Sequence, residues 1–289
     1  MANIRDLRQR IRSVGNIQKI TRAMEMVATT KLRRFQLRTV AAKPYSTRLG
    51  ELVQALAGGV AGNAEAAGEA AALFRPGNAA APHALLLVTS NRGLCGAYNA
   101  NLYRKLEEEI QRRAGKVTLY AVGRKGMAYA SRRKFAVAAY FEQVNMERLD
   151  FGTAAAISNA LVKDFKAGKI SGVTVLATRF VSMMRYVPEL APFLPISPPA
   201  ASGPASDALL EPSGTALLGR LIPRYLETRV YHAMLESITS EYASRRFAMK
   251  NATSAAGDMK KELTRDYNRA RQARITTEIL EIVSGAEAL

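Results

Sequence analysis

"KITRAMEMVATTKLRR", residues 19–34, decides how the rest of the chain is read. It carries apolar residues at helical spacing, two methionines (Met24 and Met26) and a basic flank, but no side chain suited to bond-making chemistry. Outward from it, no proline interrupts residues 1–43. Ile4, Leu7, Ile11, Val14, Ile17, Ile20, Met24, Val27 and Phe35 recur mostly at steps of three and four. The spacing predicts a long amphipathic helix that passes Pro44 with a bend there. About forty residues of helix reach roughly 60 Å, and such a rod takes most of its stability from a partner packed along it.

The other end of the chain offers that partner. From Arg224 to Leu289 there is no proline, and Gly257 and Gly285 are the only breakers. Ala256, Met259, Leu263, Asp266, Ala270, Ala273, Thr277, Leu280 and Ser284 alternate steps of three and four, which is heptad spacing. The seam is rich in Ala and poor in large residues, so two helices can approach closely. Tyr267, Ile275, Ile279 and Val283 fall off it and predict a second contact face. The two ends read as an antiparallel coiled coil.

Between them the pattern changes. "HALLLVTS", "KVTLYAV", "FAVAAYF" and "GVTVLATRFVS" are short β-branched and apolar runs, separated by helical stretches such as "NANLYRKLEEEIQRRAG" and "AAAISNALVKDFKAG". Alternating strand and helix predicts a largely parallel, Rossmann-like α/β sheet. The expected architecture is therefore an α/β domain between paired terminal helices. Its parts are an N-terminal helix over 1–57, an Ala- and Gly-rich link over 58–82, an α/β domain over 83–200 and a C-terminal helix over 201–289. "PELAPFLPISPPAASGPAS", residues 188–206, reads as a Pro-rich exit from the α/β part.

Composition narrows the function classes. The 289 residues are 48% hydrophobic, enough for a sizeable core, and the net charge is +18. Counted along the chain, that charge is +9 over residues 1–57, −1 over 58–76, +9 over 77–200 and +1 over 201–289. The excess points to an acidic partner. Cys95 is the only cysteine, so no internal disulfide forms, and with only His83 and His232 beside it a His/Cys metal cluster is not expected. "MANIRDLRQRIRSV" has no uninterrupted apolar core and reads as no signal peptide, and no run reaches the ~20 apolar residues that cross a bilayer.

Three stretches invite a chemical reading. "SNRGLCGAYN", residues 90–99, sits between a strand and a helix, where Gly93 and Gly96 could turn backbone N–H groups toward a phosphate. It matches neither dinucleotide nor P-loop spacing. The plain alternative is a tight connection with Cys95 as a small buried filler. "GRKGMAYASRRKF", residues 123–135, is a basic turn and helix without the interleaved aromatics of single-strand binders, so a face for an acidic protein is preferred over a nucleic-acid patch. Glu107–Glu109 reads as an exposed helix face; Arg22, Lys31, Arg33 and Arg34 read as solvent-facing charges. Met24 and Met26 read as gap fillers. No Ser/His/Asp or Cys/His set is present.

On residues, the chain resembles one family. "NIQKITRAMEMVATTKLRR" (16–34), "TSNRGLCGAYN" (89–99), "SEYASRRFAMKNATSAAGDM" (240–259) and "YNRARQARITTEILEIVSGA" (267–286) are similar, in order, to the motifs of the gamma subunit of F-type ATP synthases. The resemblance implies a non-catalytic central rotor shaft without a cofactor. It implies a coiled coil standing inside a ring of alpha and beta subunits, and an α/β foot contacting the epsilon subunit and the membrane c-ring. It places shaft–beta contacts at Met24, Arg245, Arg271, Gln272, Thr276 and Glu278, with Arg271 and Gln272 holding a beta-subunit loop. The C-terminus from about Ile279 is expected to enter an apolar bearing. "MKNATSAA", residues 249–256, departs from the family's usual M-K-A-A-T-D-N-A, so a contact made through that Asp is in question. The lone Cys95 excludes the chloroplast type's redox pair. The expected place is the cytoplasmic side of a bacterial inner membrane, as a peripheral protein. Two other classes stay open on residues alone: a nucleotide-using enzyme built on the "SNRGLCG" turn, and a coiled-coil nucleic-acid binder.

Overall fold

A computed structural model describes residues 4–60, 72–142, 144–196 and 214–287. Helix α1 spans Ile4–Val60, followed by β1 (His83–Val88), α2 (Tyr98–Arg112), β2 (Val117–Val122), α3 (Arg124–Arg132) and β3 (Val137–Phe141). A 3₁₀ turn at Met146–Arg148 leads to α4 (Phe151–Lys166), β4 (Val173–Phe180), β5 (Tyr186–Leu194) and α5 (Gly214–Glu287). Most of the expected 58–82 link and the start of the expected 201–289 helix lie outside the described residues. Both long helices run through a proline, Pro44 in α1 and Pro223 in α5. The chain divides into two compact units: residues 1–30 with 245–289, and residues 31–244.

In the larger unit five strands form one sheet in the order β3-β2-β1-β4-β5. The first four are parallel and β5 runs antiparallel along β4. Strands β1 and β2 are nearly all buried, which is why they read as unbroken apolar runs. Leu85, Leu87, Leu102, Leu106, Leu119 and Leu176 form the core between sheet and α2. Strand β5 occupies residues 188–194 of the stretch that reads as a Pro-rich exit, so the exit begins only after it. Pro188 and Pro192 pair with Thr178 and Thr174, and proline is tolerated there because β5 is an edge strand with no further ladder to feed.

Helix α5 meets the sheet through small polar side chains. Pairing of β1 with β4 ends at Leu87 and Leu176. Two residues on, the Thr178 N–H donates instead to Ser237 Oγ (3.1 Å), and Ser240 Oγ donates to Thr178 O (3.4 Å). Serines thus replace a missing strand neighbour while letting the helix backbone approach closely. In the same unit α1 and α5 run antiparallel. Phe35 stacks on Tyr242 with centroids 5.6 Å apart, Thr39 Oγ1 lies 3.0 Å from Thr239 Oγ1, and a Cβ on Gly50 would meet Tyr225 at 3.7 Å.

Glu109 corrects the expectation of an exposed acidic face, because its side chain is 2% exposed. Arg112 donates through two nitrogens at 2.7 Å each, and Arg113 Nε donates at 2.5 Å. The hydrogen bond from Arg112, opposed by burial and reinforced by Arg113, holds the Glu109 carboxyl down at about 2 from its ordinary 4.5. The folded state therefore binds this proton less readily than the unfolded state. Stability from Glu109 is complete above about pH 4.5 and is lost as pH falls toward 2. With Arg112 68% exposed, solvent screens the pair and leaves it worth about 1 kcal/mol at neutral pH. Denaturant titrations of the wild type and Glu109→Gln at pH 7, 4 and 2.5 check this. The two stabilities should converge by that amount on acidification, and a gap unaffected by pH contradicts it.

In the smaller unit the early part of α1 and the later part of α5 also pair antiparallel. Thr253 Oγ1 donates to Thr21 Oγ1 at 2.8 Å. A Cβ on Gly257 would meet Gln18 Nε2 at 2.8 Å, and one on Gly15 would meet Lys260 at 3.9 Å. The inward positions of α1 thus include Leu7, Ile11, Val14, Gln18, Thr21, Met24 and Ala28. The expected seam through Ile17, Ile20 and Val27 is corrected: they are 52%, 59% and 54% exposed. On α5 the seam passes Ala256, Leu263, Tyr267 and Ala270, whereas Met259 and Asp266 are exposed. Thr21 faces Thr253, and the long Gln18 side chain lies against Gly257, where the missing Cβ makes room for it.

Candidate functional site

Tracing "TSNRGLCGAYN" atom by atom shows its polar groups turned inward. Thr89 Oγ1 donates to Val122 O (3.0 Å) and accepts from Gly126 N (2.8 Å). Asn99 Nδ2 donates to Ser90 Oγ (2.7 Å), and its Oδ1 accepts from Ser90 N (3.3 Å). Asn91 Oδ1 accepts from Arg124 N, and Asn91 Nδ2 donates to Val144 O. Ser244 Oγ on α5 donates to Cys95 O (2.6 Å), and Cys95 itself is buried. This loop fastens β1 to the loops after β2 and β3 and to α5. Its side chains Thr89, Ser90, Asn91 and Asn99 are all spent on bonds within the fold.

A second knot lies beside it. Lys31 Nζ donates to Glu147 Oε2 at 2.6 Å, and Tyr242 OH donates to Glu147 Oε1. Arg34 donates to Glu147 O (2.9 Å), and Arg38 donates to Leu149 O (2.7 Å) and to Tyr231 OH (3.0 Å). Burial pushes the Glu147 carboxyl up, but hydrogen bonds from Lys31 and Tyr242 and the charges of Lys31 and Arg92 outweigh it and leave it below its ordinary range. Lys31 and Arg34 were expected to face solvent. Their role was hidden because nothing local marks Glu147, more than a hundred residues away, as their partner.

The residues implied by the family resemblance fall at three stations. Met24 is half-buried on α1. Arg245 is 7% exposed on α5. Arg271, Gln272, Thr276 and Glu278 are all exposed, within two turns of one another, and lie about 39 Å from Arg245 along the helix. Thr276 Oγ1 donates to Gln272 O at 3.0 Å, and Arg274 Nε donates to Glu278 Oε1 at 2.7 Å. Continuing the pairing register, Ile4 falls opposite about Arg271. From Arg271 to Ser284 every side chain of α5 is exposed, including Ile275, Ile279, Leu280, Ile282 and Val283.

Among the described residues of this unit, besides Met26, Phe247 and Met259, two stretches carry exposed apolar groups. One is the outer stripe of α1 at Ile17, Ile20 and Val27, and the other is the last turns of α5. Sequence reasoning placed the stripe in the seam. The signal that separates them is the run of uncharged polar residues, Gln18, Thr21 and Thr253, at the true inward spacing. Among the described residues no three or more His, Cys, Asp and Glu side chains are grouped to hold a metal ion. No described helix is long and apolar enough to cross a membrane.

Comparison with known proteins gives a consistent picture. The profile of the family described as ATP synthase matches residues 3–289. The ATP synthase gamma chain of Acidiphilium cryptum is 41% identical over 302 aligned residues, covering all of both chains. That of Moorella thermoacetica is 40% identical over 289 residues, again covering both completely. Among solved structures, a chain of the Euglena gracilis mitochondrial ATP synthase in rotational state 3 superposes with a TM-score of 0.69 at 19% identity, over 99% of this chain and 94% of that one. A chain from the central stalk and c-ring of the Tetrahymena thermophila mitochondrial enzyme gives a TM-score of 0.59 at 24% identity, over 81% of this chain and 99% of that one.

Proposed function

Because this chain belongs to the ATP synthase gamma-chain family, we propose that it is the central rotor shaft of an F-type ATP synthase, itself non-catalytic. It couples ion-driven rotation of the membrane c-ring to ATP synthesis or hydrolysis on the beta subunits. Its partners are the alpha and beta subunits, the epsilon subunit and the c-ring. It sits on the cytoplasmic side of the inner membrane as a peripheral member of the complex. The observation that carries this reading is the bare apolar surface of the smaller unit, exposed on α1 at Ile17, Ile20 and Val27 and on α5 beyond Arg271.

A single asymmetric shaft cannot match a threefold ring in the same way at each site, so it favours a different state in each beta subunit. Rotation moves those contact energies from site to site, which couples them. Apolar contact is non-directional, and exposed ion pairs are worth only about 0–1 kcal/mol, so such a surface seats without locking. On this reading Met24, Arg245, Arg271, Gln272, Thr276 and Glu278 are the shaft's contacts with beta, and Arg271 and Gln272 hold one of its loops.

Reconstitution with alpha and beta subunits tests it. The complex should hydrolyse ATP and turn an attached probe. Arg271→Ala with Gln272→Leu should reduce turnover several-fold without preventing assembly. Equal turnover and rotation in the double variant would remove those two residues from the interface. Failure of the wild-type chain to enter the ring would overturn the rotor reading itself.

A further inference from the structure

The parallel strands β1 to β4 fix where the turns of the α/β part fall. Each of α2, α3 and α4 runs back along the sheet, so the turn after it comes to the N-terminal end of β2, β3 or β4. Those turns read "RRAGK" (112–116), "RRK" (132–134) and "KAGK" (166–169), with eight cations and no acid. His83 N donates to Lys116 O and Ser171 N donates to Pro82 O, both at 3.0 Å, and Asn78 Nδ2 donates to Gly168 O at 3.1 Å. These bonds tie the edge of the sheet and its turns into one rim.

Helix ends explain part of this charge. A helix C-terminus carries about half a negative charge, which a cation in the last turn offsets. Glu107 pairs with Arg133, Glu109 with Arg112 and Arg113, and Asp164 with Lys169. That leaves Lys116, Arg132 and Lys134, which are exposed and make no ion pair among the described residues.

The rim has no apolar anchor. Among the described residues of 72–196, the large apolar side chains that are exposed are Leu94, Val181, Met183 and Met184. All four lie beyond the C-terminal ends of β1 and β4, at the opposite end of the sheet. A protein partner takes most of its affinity from buried aromatic and apolar anchors, and lysine is depleted in such interfaces. Single-stranded nucleic acid needs aromatic platforms, which the three turns lack. A plane of lipid phosphates needs only cations brought within a Debye length, about 8 Å at physiological salt. Resting on the rotor reading, which brings the α/β foot to the membrane, we propose that this rim docks on anionic phospholipid headgroups. Lipids diffuse and the attraction is non-directional, so the foot is held near the membrane without being fixed at one angle.

Co-sedimentation of the full-length chain with vesicles at physiological salt tests it. Phosphatidylcholine vesicles containing phosphatidylglycerol should bind the chain, and pure phosphatidylcholine should not. One cation near an anionic surface is worth about a fivefold change in partition, so Lys116→Glu with Arg132→Glu and Lys134→Glu should weaken binding by about a hundredfold or more. Arg8→Glu with Arg12→Glu and Lys19→Glu makes the same charge change at exposed positions of the smaller unit and should leave binding near the wild-type level. Circular dichroism melting checks that both variants fold. Absent vesicle binding overturns the proposal. Equal loss in the two variants does so too, since net charge rather than the rim would then be responsible. If the rim variant keeps vesicle binding but loses the detergent-solubilised c-ring, the rim serves a protein contact instead. Vesicle binding needs no other subunit, so its failure is distinct from failure of the chain to enter the ring of alpha and beta subunits.

Discussion

Gly123→Ala should cost the folded chain about 4 kcal/mol, an effect at the extreme of what single substitutions do. Gly123 sits at φ +96 immediately before α3, in backbone space where a side chain alone costs about 1–3 kcal/mol. The rest comes from collision. A Cβ there would lie 2.3 Å from Thr89 O and 2.7 Å from Thr89 Oγ1. Thr89 has nowhere to go, since its N–H is bonded to Val122 O at 2.9 Å and its hydroxyl is held by Val122 and Gly126. Gly115 separates the two contributions, because it has φ +75 but nothing within 4 Å of the added methyl. Gly115→Ala should therefore cost only about 1 kcal/mol. Chemical denaturation of both variants measures the difference, and equal midpoints would show that the Thr89 contact is not the cause.

That pair of glycines also marks how far the sequence could be read. Parallel strands such as Leu85–Val88 and Leu119–Val122 are legible because burial on both faces demands unbroken apolar runs. Strand β5 was not legible: Pro188 and Pro192 argue against a strand unless its edge position is known, and edge position is a property of the whole sheet. Helix length was clear, but helix facing was not. Spacing alone cannot tell a large residue packed in a seam from a large residue reserved for a partner, as Ile17 and Ile20 illustrate. The clamp on Glu147 was invisible for a similar reason. Lys31, Arg34 and Tyr242 become neighbours only once α1 and α5 are set in register.

The combined change Ile17→Ser, Ile20→Ser and Val27→Ser turns that distinction into a measurement. All three side chains are more than half exposed in the isolated chain, so folding loses little burial. Serine, isoleucine and valine also differ little in helix propensity, and surface changes of this kind stay within about 0.5 kcal/mol each. The melting temperature should hardly move. Docked in a ring of alpha and beta subunits, the same residues would lose their remaining exposure, worth about 1 kcal/mol apiece. The triple variant should then associate with the ring close to a hundredfold more weakly, at about 1.4 kcal/mol per tenfold. ATP-driven ion transport by the assembled complex should fall at least as far as its ATPase activity, because a loosely seated shaft lets hydrolysis slip. Folding lost together with assembly would return these residues to the helix seam. Assembly and coupling both at wild-type level would mean that the ring touches some other face of α1.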